Sequence, residues 1–265
     1  MEVRIEGLRK VYPGRRGSGA VVALEEASLT AAAGEFVCLL GPSGCGKSTI
    51  LQIVAGLESA TAGTVRFAAG GARDDGASGP RTSLVFQEFA LFPWRTVRDN
   101  VAYSLEMRGI GKAERFARAA EFIRTVGLTG FENKYPHELS GGMRQRVALA
   151  RSLAADPGVL LMDEPFGALD AQTRTLVQEE LLTIWERSRK TVLFVTHSIE
   201  EAIILGDRIL VMSARPGRIK AEITVPFARP RSEAVRGAPA FTELARDLWQ
   251  LLRHETERAM LTERG

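Results

Sequence analysis

The chain has 265 residues, 45% of them hydrophobic and 25% charged, with a formal net charge of +3. That length fits one large domain, or one domain with an appendage, and the composition is that of a soluble globular protein with enough apolar residues to bury a core. Lysines and arginines are spread along the chain rather than gathered into a basic arm, so no nucleic-acid partner is expected. The two cysteines, Cys38 and Cys45, make neither a zinc pattern nor a disulfide framework, which fits a reducing cytoplasm. The N-terminal residues lack the apolar stretch of a signal peptide, and the longest apolar runs are too short to span a bilayer. Any role at a membrane is therefore expected to be peripheral, with another protein doing the spanning.

In chain order, residues 3–11 and 21–29 read as antiparallel strands joined by a Gly-rich loop at 13–19. Short apolar runs follow at 35–40, 83–86, 159–162, 191–196 and 208–213. They are continuously apolar, not alternating, as in parallel strands buried on both faces. Helical stretches at 47–55, 171–188 and 198–205 complete a βαβ rhythm. Residues 69–80 form a second Gly-rich loop without a motif. From 88 to 156 strand signals vanish and helical pattern dominates, for example at 112–126 and 140–156, which predicts an inserted helical subdomain. After Pro226 an extended link leads to an amphipathic helix from Pro239, with Phe241, Leu244, Ala245, Leu248, Trp249 and Leu252 on one stripe. The expected architecture is α/β: a mostly parallel core sheet with an antiparallel N-terminal part over residues 1–225, then a C-terminal link and helix over 226–265.

Gly41-Pro42-Ser43-Gly44-Cys45-Gly46-Lys47-Ser48-Thr49 fits the P-loop pattern and falls between a predicted strand and a predicted helix, the context such a loop requires. Glycines let backbone N–H groups converge on phosphate oxygens. Lys47 adds positive charge at the terminal phosphates, and Ser48 can offer its hydroxyl to Mg²⁺. Asp163 and Glu164 follow the apolar run 159–162, where Asp163 can hold Mg²⁺ through water and Glu164 can polarise an attacking water. Gln87 and His197 also lie just past predicted parallel strands, the edge where ligands bind in open α/β sheets. Gln87 can reach the metal or the water, and His197 the γ-phosphate. Cys45 reads either as a reactive thiol or as a small residue that fits its turn.

Leu139-Ser140-Gly141-Gly142-Met143-Arg144-Gln145-Arg146 is a second anion site, because Ser140 is a good N-cap and the glycines expose N–H groups at a helix start. The P-loop already wraps the chain's own nucleotide. The economical reading is that Ser140, Gly141 and Gly142 complete the site of a second, facing copy, which implies a head-to-tail dimer with two nucleotides at its interface.

These residues resemble the ATP-binding cassette (ABC) family, over about residues 3–223. The resemblance implies Tyr12 as the aromatic stacked on adenine and residues 41–49 as the ATP-phosphate loop. It implies Gln87, Asp163, Glu164 and His197 around the γ-phosphate, Ser140–Gly142 acting in trans, and Asp170 in an inter-subunit loop with Ala168 and Leu169. Met143 departs from the family's usual Gln, at a side chain not needed for phosphate contact. Leu91-Phe92-Pro93-Trp94, Asp99-Asn100-Val101, Tyr135-Pro136-His137-Glu138 and Ser213-Ala214-Arg215-Pro216-Gly217-Arg218-Ile219 are similar to the nitrate, sulfonate and taurine importer branch. The implied activity is ATP hydrolysis with Mg²⁺ on the cytoplasmic face of the cell membrane. The implied partners are a second cassette, integral membrane permease subunits and, indirectly, an external solute-binding protein. Residues 88–94 are the expected permease contact. An exporter subunit or a non-transport ABC ATPase is the alternative, and the role of the C-terminal helix and the transported solute stay open.

Overall fold

The structure is a computed structural model that describes residues 1–14, 19–68, 82–167, 169–231 and 233–262. The loop at 69–80, the centre of the loop at 13–19 and Ala168 lie outside the described residues. The chain forms β1 (Glu2–Tyr12), β2 (Val21–Ala31), β3 (Phe36–Leu40), α1 (Lys47–Val54), β4 (Ala62–Ala68), β5 (Thr82–Val85), α2 (Val97–Met107), α3 (Lys112–Thr125) and α4 (Gly141–Ala154). It continues through β6 (Val159–Asp163), α5 (Ala171–Ser188), β7 (Thr191–Thr196), α6 (Ile199–Leu205), β8 (Arg208–Met212), β9 (Ile219–Thr224), α7 (Glu233–Arg236) and α8 (Pro239–Thr262). Two compact units result: Met1–Arg73 with Thr191–Gly265, and Asp74–Lys190.

In the first unit, β7, β3, β8 and β9 lie side by side in that order. β3 is parallel to both β7 and β8, and β9 closes the edge antiparallel to β8. Every residue of β3 and β7 is buried, as expected of strands covered on both faces: β3 is apolar throughout, and β7 is apolar between Thr191 and Thr196. The Phe36 and Phe194 rings, on these neighbouring strands, pack tilted by 43° with centroids 5.7 Å apart. Each fully buried ring of this size contributes about 2–3 kcal/mol. β2, β1 and β4 form a separate antiparallel sheet with β1 central. The expected β1–β2 hairpin is therefore joined by a third strand that the sequence reading did not include.

The C-terminal residues belong to this same unit. Arg231 is buried, and its Nη1 donates to the carbonyls of Ile203, Ile204 and Gly206 at the end of α6, while Nε donates to Phe227 O. Arg229 reaches Leu205 O (2.6 Å) and Asp207 Oδ1 (2.7 Å). Two cations thus satisfy carbonyls that a helix C-terminus leaves without partners. Burial pulls Arg231 down to about 10, which still leaves it charged at neutral pH. On α8, Phe241 and Leu248 are buried, but Trp249 is 53% exposed with the Arg253 guanidinium over its ring. Trp249 is a correction to the predicted stripe: a four-residue step from Ala245 places it at the border of the apolar face, where a large ring stays wet.

In the second unit, β5 and β6 are parallel neighbours, and α2, α3 and α4 are inserted between them in sequence. Thr96, Ser140 and Asp170 cap α2, α4 and α5 by accepting the N–H groups of Asp99, Met143 and Thr173. Such caps each contribute about 1 kcal/mol. Among the described residues, no helix is long and apolar enough to cross a membrane.

Candidate functional site

In the first unit Leu40 pairs with Thr196 of β7 and Val211 of β8, so Gly41 and His197 leave the sheet at one edge. The loop that follows closes tightly. A Cβ on Gly41 would meet Cys45 Sγ at 3.0 Å and Met212 Cβ at 3.1 Å. Gly46 caps α1 with φ 102°, where a Cβ would meet Leu24 Cδ2 at 2.6 Å. No side chain caps α1, unlike α2, α4, α5 and α6, so its first N–H groups and its positive dipole end belong to the loop. Lys47 is buried and its Nζ donates to the Gly41 and Pro42 carbonyls, each at 2.8 Å. Ser43 and Gly44 are exposed at the crest, and Ser48 and Thr49 lie half-buried in the first turn of α1. Cys45 is only 1% exposed and burial pushes its thiol up, which fits the small packing residue and not the reactive thiol.

Tyr12 stands half-buried at the end of β1 with Lys10 Nζ 4.8 Å above its ring. That ammonium is itself held by Glu58 and by the Ser59 carbonyl, both at 2.7 Å. His197 is exposed on a turn fixed beneath it: Thr196 Oγ1 donates to Glu201 Oε2 (2.5 Å) and accepts the Ser198 N–H (2.9 Å).

The second unit repeats this edge logic. Val85 pairs with Met162, so Gln87 and the Asp163–Glu164 pair leave β5 and β6 at one edge. Glu164 has φ 44°, and the Gly167 N–H donates to its carbonyl at 3.1 Å. A Cβ on Gly167 would lie 3.6 Å from Gln87 Nε2, which sets the Gln87 amide against the turn that follows Glu164. Just past Gln87, Phe89 and Ala90 have φ 52° and 45°. Arg151 holds both, Nη1 donating to Ala90 O (2.6 Å) and Nη2 to Phe89 O (3.0 Å). Sequence reasoning did not single out Arg151; two helical turns after Arg144 on α4, it carried only the periodicity of a helix face.

Asn100, fully buried, ties the next stretch together. Its Oδ1 accepts the Phe92 N–H (2.9 Å), and Nδ2 donates to the carbonyls of Phe92 (3.1 Å), Arg95 (3.0 Å) and Thr96 (3.0 Å). Phe92 packs on Tyr103 at 4.5 Å, and Trp94 stands 72% exposed. Ser140 Oγ accepts the Met143 N–H at 3.3 Å, and Arg144 Nη1 donates to Leu139 O at 2.7 Å. A Cβ on Gly142 would strike Thr173 Cγ2 at 2.5 Å, and one on Gly141 would meet Leu169 Cδ2 at 3.6 Å. Ser140, Gly141 and Gly142 are therefore seated on the start of α5, beside Asp170. The Thr173 N–H that Asp170 accepts holds its carboxyl below the usual carboxylate range.

The structure thus gathers Tyr12, residues 41–49 and His197 in one unit, and Gln87, Asp163, Glu164, Ser140–Gly142 and Asp170 in the other. Among the described residues no three His, Cys, Asp or Glu side chains form a cage for a metal. The oxygen donors foreseen for Mg²⁺ are one hydroxyl, one amide and one carboxylate, from Ser48, Gln87 and Asp163. By residue type alone these are hard oxygen donors, of the kind Mg²⁺ takes beside phosphate oxygens and water; Ser48 belongs to the first unit and Gln87 and Asp163 to the second.

A family model described as ABC transporter matches residues 24–167. An uncharacterised ABC transporter ATP-binding protein of Methanocaldococcus jannaschii is 46% identical over 260 residues, covering 98% of this chain and 94% of its own. The nitrate import ATP-binding protein of Synechocystis sp. is 45% identical, covering 97% of both chains. The taurine import ATP-binding protein of Burkholderia pseudomallei is 48% identical, covering 93% of this chain and 95% of its own. Among solved structures, a dimeric ATP-binding cassette in a post-hydrolysis state bound to ADP and Pi aligns with a TM-score of 0.72 at 34% identity, covering 85% of this chain and 100% of its own. The glycine-rich loop that ends at Gly46 and Lys47, the carboxylates at the end of β6 and these relatives agree: the chain belongs to the ABC transporter family.

Proposed function

We propose that this protein is the ATP-hydrolysing subunit of an ABC importer for a small solute of the nitrate, sulfonate or taurine kind. The observation that carries the reading is the start of α1, which no side chain caps, where the helix's positive dipole end, two left-handed glycines and the buried Lys47 ammonium make a cradle for a polyphosphate. Relatives at 45–48% identity named for nitrate and taurine import support the solute class.

In this reading residues 41–49 wrap the ATP phosphates and Lys47 exchanges its contacts with the Gly41 and Pro42 carbonyls for the terminal phosphates. Tyr12 stacks on adenine with the ring face opposite Lys10. Glu164 accepts hydrogen bonding from the attacking water and orients it, Gln87 positions that water, and His197 donates to the γ-phosphate. Ser48, Gln87 and, through water, Asp163 hold Mg²⁺, which when bound neutralises charge on the phosphates. Positioning and charge compensation carry phosphoryl transfer; the chain has little covalent chemistry to do. Ser140, Gly141 and Gly142 face the nucleotide of a second copy, and Asp170 stands at that junction. Hydrolysis then removes the phosphate that bridges two copies.

The protein works at the cytoplasmic face of the membrane, bound to permease subunits through the segment that displays Trp94. An external solute-binding protein delivers cargo to those subunits. The test is affinity purification of the protein from detergent-solubilised membranes of its own host. A polytopic membrane protein in stoichiometric amount is expected. Recovery with nucleic acid or ribosomes, and no membrane protein, would overturn the transport reading.

A further inference from the structure

The phosphate loop needs outside support. Gly44 and Gly46 both sit at positive φ, and glycine gives up more conformational freedom on ordering than any other residue. The packing of Cys45 fixes one side of the crest. The other side is reached by a segment that no part of the mechanism uses, the loop at 213–218 between β8 and β9.

This loop is tied to itself, to β2 and to the C-terminal helix. Ser213 and Arg218 bond through their backbones (2.9 Å), and Ser213 Oγ accepts the Arg218 N–H (3.0 Å). Gly217 donates its N–H to Ala23 O and accepts the Glu25 N–H, both at 2.9 Å. A Cβ on Gly217 would overlap the Cys45 carbonyl, so only glycine lets the loop lie against the phosphate loop there. Arg218 Nη2 pairs with Glu25 at 2.7 Å. From α8, Glu255, 1% exposed, accepts the Ala214 N–H with Oε2 (2.9 Å) and Lys220 Nζ with Oε1 (2.6 Å).

Out of this braced loop Arg215 extends to the crest. Its Nε and Nη2 both donate to the Gly44 carbonyl, at 3.2 and 3.1 Å. In a planar trans peptide the carbonyl and the following N–H point in opposite directions. Holding the Gly44 carbonyl toward Arg215 therefore fixes the side of the loop on which the Cys45 N–H lies; here that N–H makes only a long contact across the turn to the Pro42 carbonyl, at 3.4 Å, which a phosphate oxygen on the same side would replace. A carbonyl turned the other way would present negative charge to an incoming polyphosphate.

We infer that Arg215 is a positioning residue for nucleotide binding, gripping the Gly44 peptide so that the Cys45 N–H faces the phosphates, and that Glu255 on α8 acts through it by bracing the loop that carries it. This rests on the assignment of residues 41–49 to ATP phosphates. It gives the C-terminal helix a task, setting nucleotide affinity from outside the cassette's own motifs.

The experiment measures ATP and ADP binding and steady-state hydrolysis on the full chain, for wild type and for Lys47→Ala, Arg215→Ala, Arg215→Lys, Glu255→Ala and the Arg215→Ala, Glu255→Ala pair. Arg215→Ala is expected to weaken both nucleotides about five- to ten-fold, the scale of one or two hydrogen bonds, and to raise KM by the same factor with kcat changed less than about two-fold. Its melting temperature without nucleotide is expected to match wild type. Arg215→Lys, which keeps the charge and a donor, should recover part of the affinity. Glu255→Ala should weaken binding as well, and the pair should be no worse than Arg215→Ala alone, the signature of two residues acting in series. Wild-type affinity in Arg215→Ala, a loss confined to kcat, or a parallel fall in nucleotide-free melting temperature would each overturn the inference while ATP binding by wild type stands. If wild type itself bound no ATP and matched Lys47→Ala, the assignment of the phosphate loop would fall first and the inference with it.

Discussion

In the unit that carries the phosphate loop, the left-handed backbone of that loop falls on glycines, Gly44 at φ 74° and Gly46 at 102°. In the other unit the left-handed positions beside the candidate site fall on Phe89, Ala90 and Glu164, at 52°, 45° and 44°. The first arrangement is nearly free of steric penalty, while each of the second costs about 1–2 kcal/mol. One region is a cradle made of residues that belong in its shape. The other is held in its shape by neighbours: Arg151 on the Phe89 and Ala90 carbonyls, and the Gly167 N–H on the Glu164 carbonyl. On the proposed reading, the difference separates a region that binds from a region that switches. A cradle should be the same with and without its ligand, whereas backbone kept under tension can relax when one tie is cut.

The sharpest way to separate the two regions is Glu164→Gln. Phosphate release should fall by about 10²- to 10⁴-fold, the usual weight of a general base, while ATP still binds and now holds two copies together. Light scattering with saturating ATP and Mg²⁺ reads the second half; a persistent monomer would break the picture of copies bridged by nucleotide. Next in size is Gly46→Ala in the cradle. Its Cβ would meet Leu24 and the Ala23 carbonyl at an unfavourable φ, so about 2–4 kcal/mol of stability and most of the nucleotide affinity should go together. Intact binding in that variant would mean the loop tolerates another path. The smallest effect belongs to Arg151→Ala. Cutting two hydrogen bonds to strained carbonyls should lower turnover by about five- to ten-fold and leave ATP affinity near wild type. Were affinity to drop and turnover per bound ATP to hold, the proposed division of labour would be reversed.

Much of this was legible before any coordinates. The strands at 35–40, 159–162 and 191–196 announce themselves because a strand buried on both faces is apolar along its length, as β3 is throughout and β7 is between its terminal threonines. The candidate site was legible for the same reason that its chemistry is demanding: phosphate cradles require glycine, lysine and a hydroxyl at fixed spacing. β4 was missed because its seven residues are mostly exposed and include Gly63, so little apolar alternation is left to read. β9 did alternate between half-buried and exposed residues and was overlooked beside the motif that precedes it. The contacts of Arg151, Arg215, Arg231 and Glu255 were not foreseen, although Arg215 falls in the stretch 213–219 singled out for its resemblance to the importer branch. A charged side chain that bonds to backbone carbonyls or N–H groups far along the chain leaves no mark in local sequence; its partner has no side-chain identity to recognise.

The burial of the two sulfur atoms has a practical consequence. Cys38 and Cys45 are both sealed within the fold, and loss of solvation, the largest cause in each case, raises both thiols above the ordinary thiol range, against thiolate formation at neutral pH. Alkylating reagents and mild oxidants should therefore pass the native protein by. Cysteines placed at Asp170 or Trp94 would then be the fast-reacting thiols of the chain, and spin labels, fluorophores or cross-linkers could report on assembly without first replacing a residue of the phosphate loop.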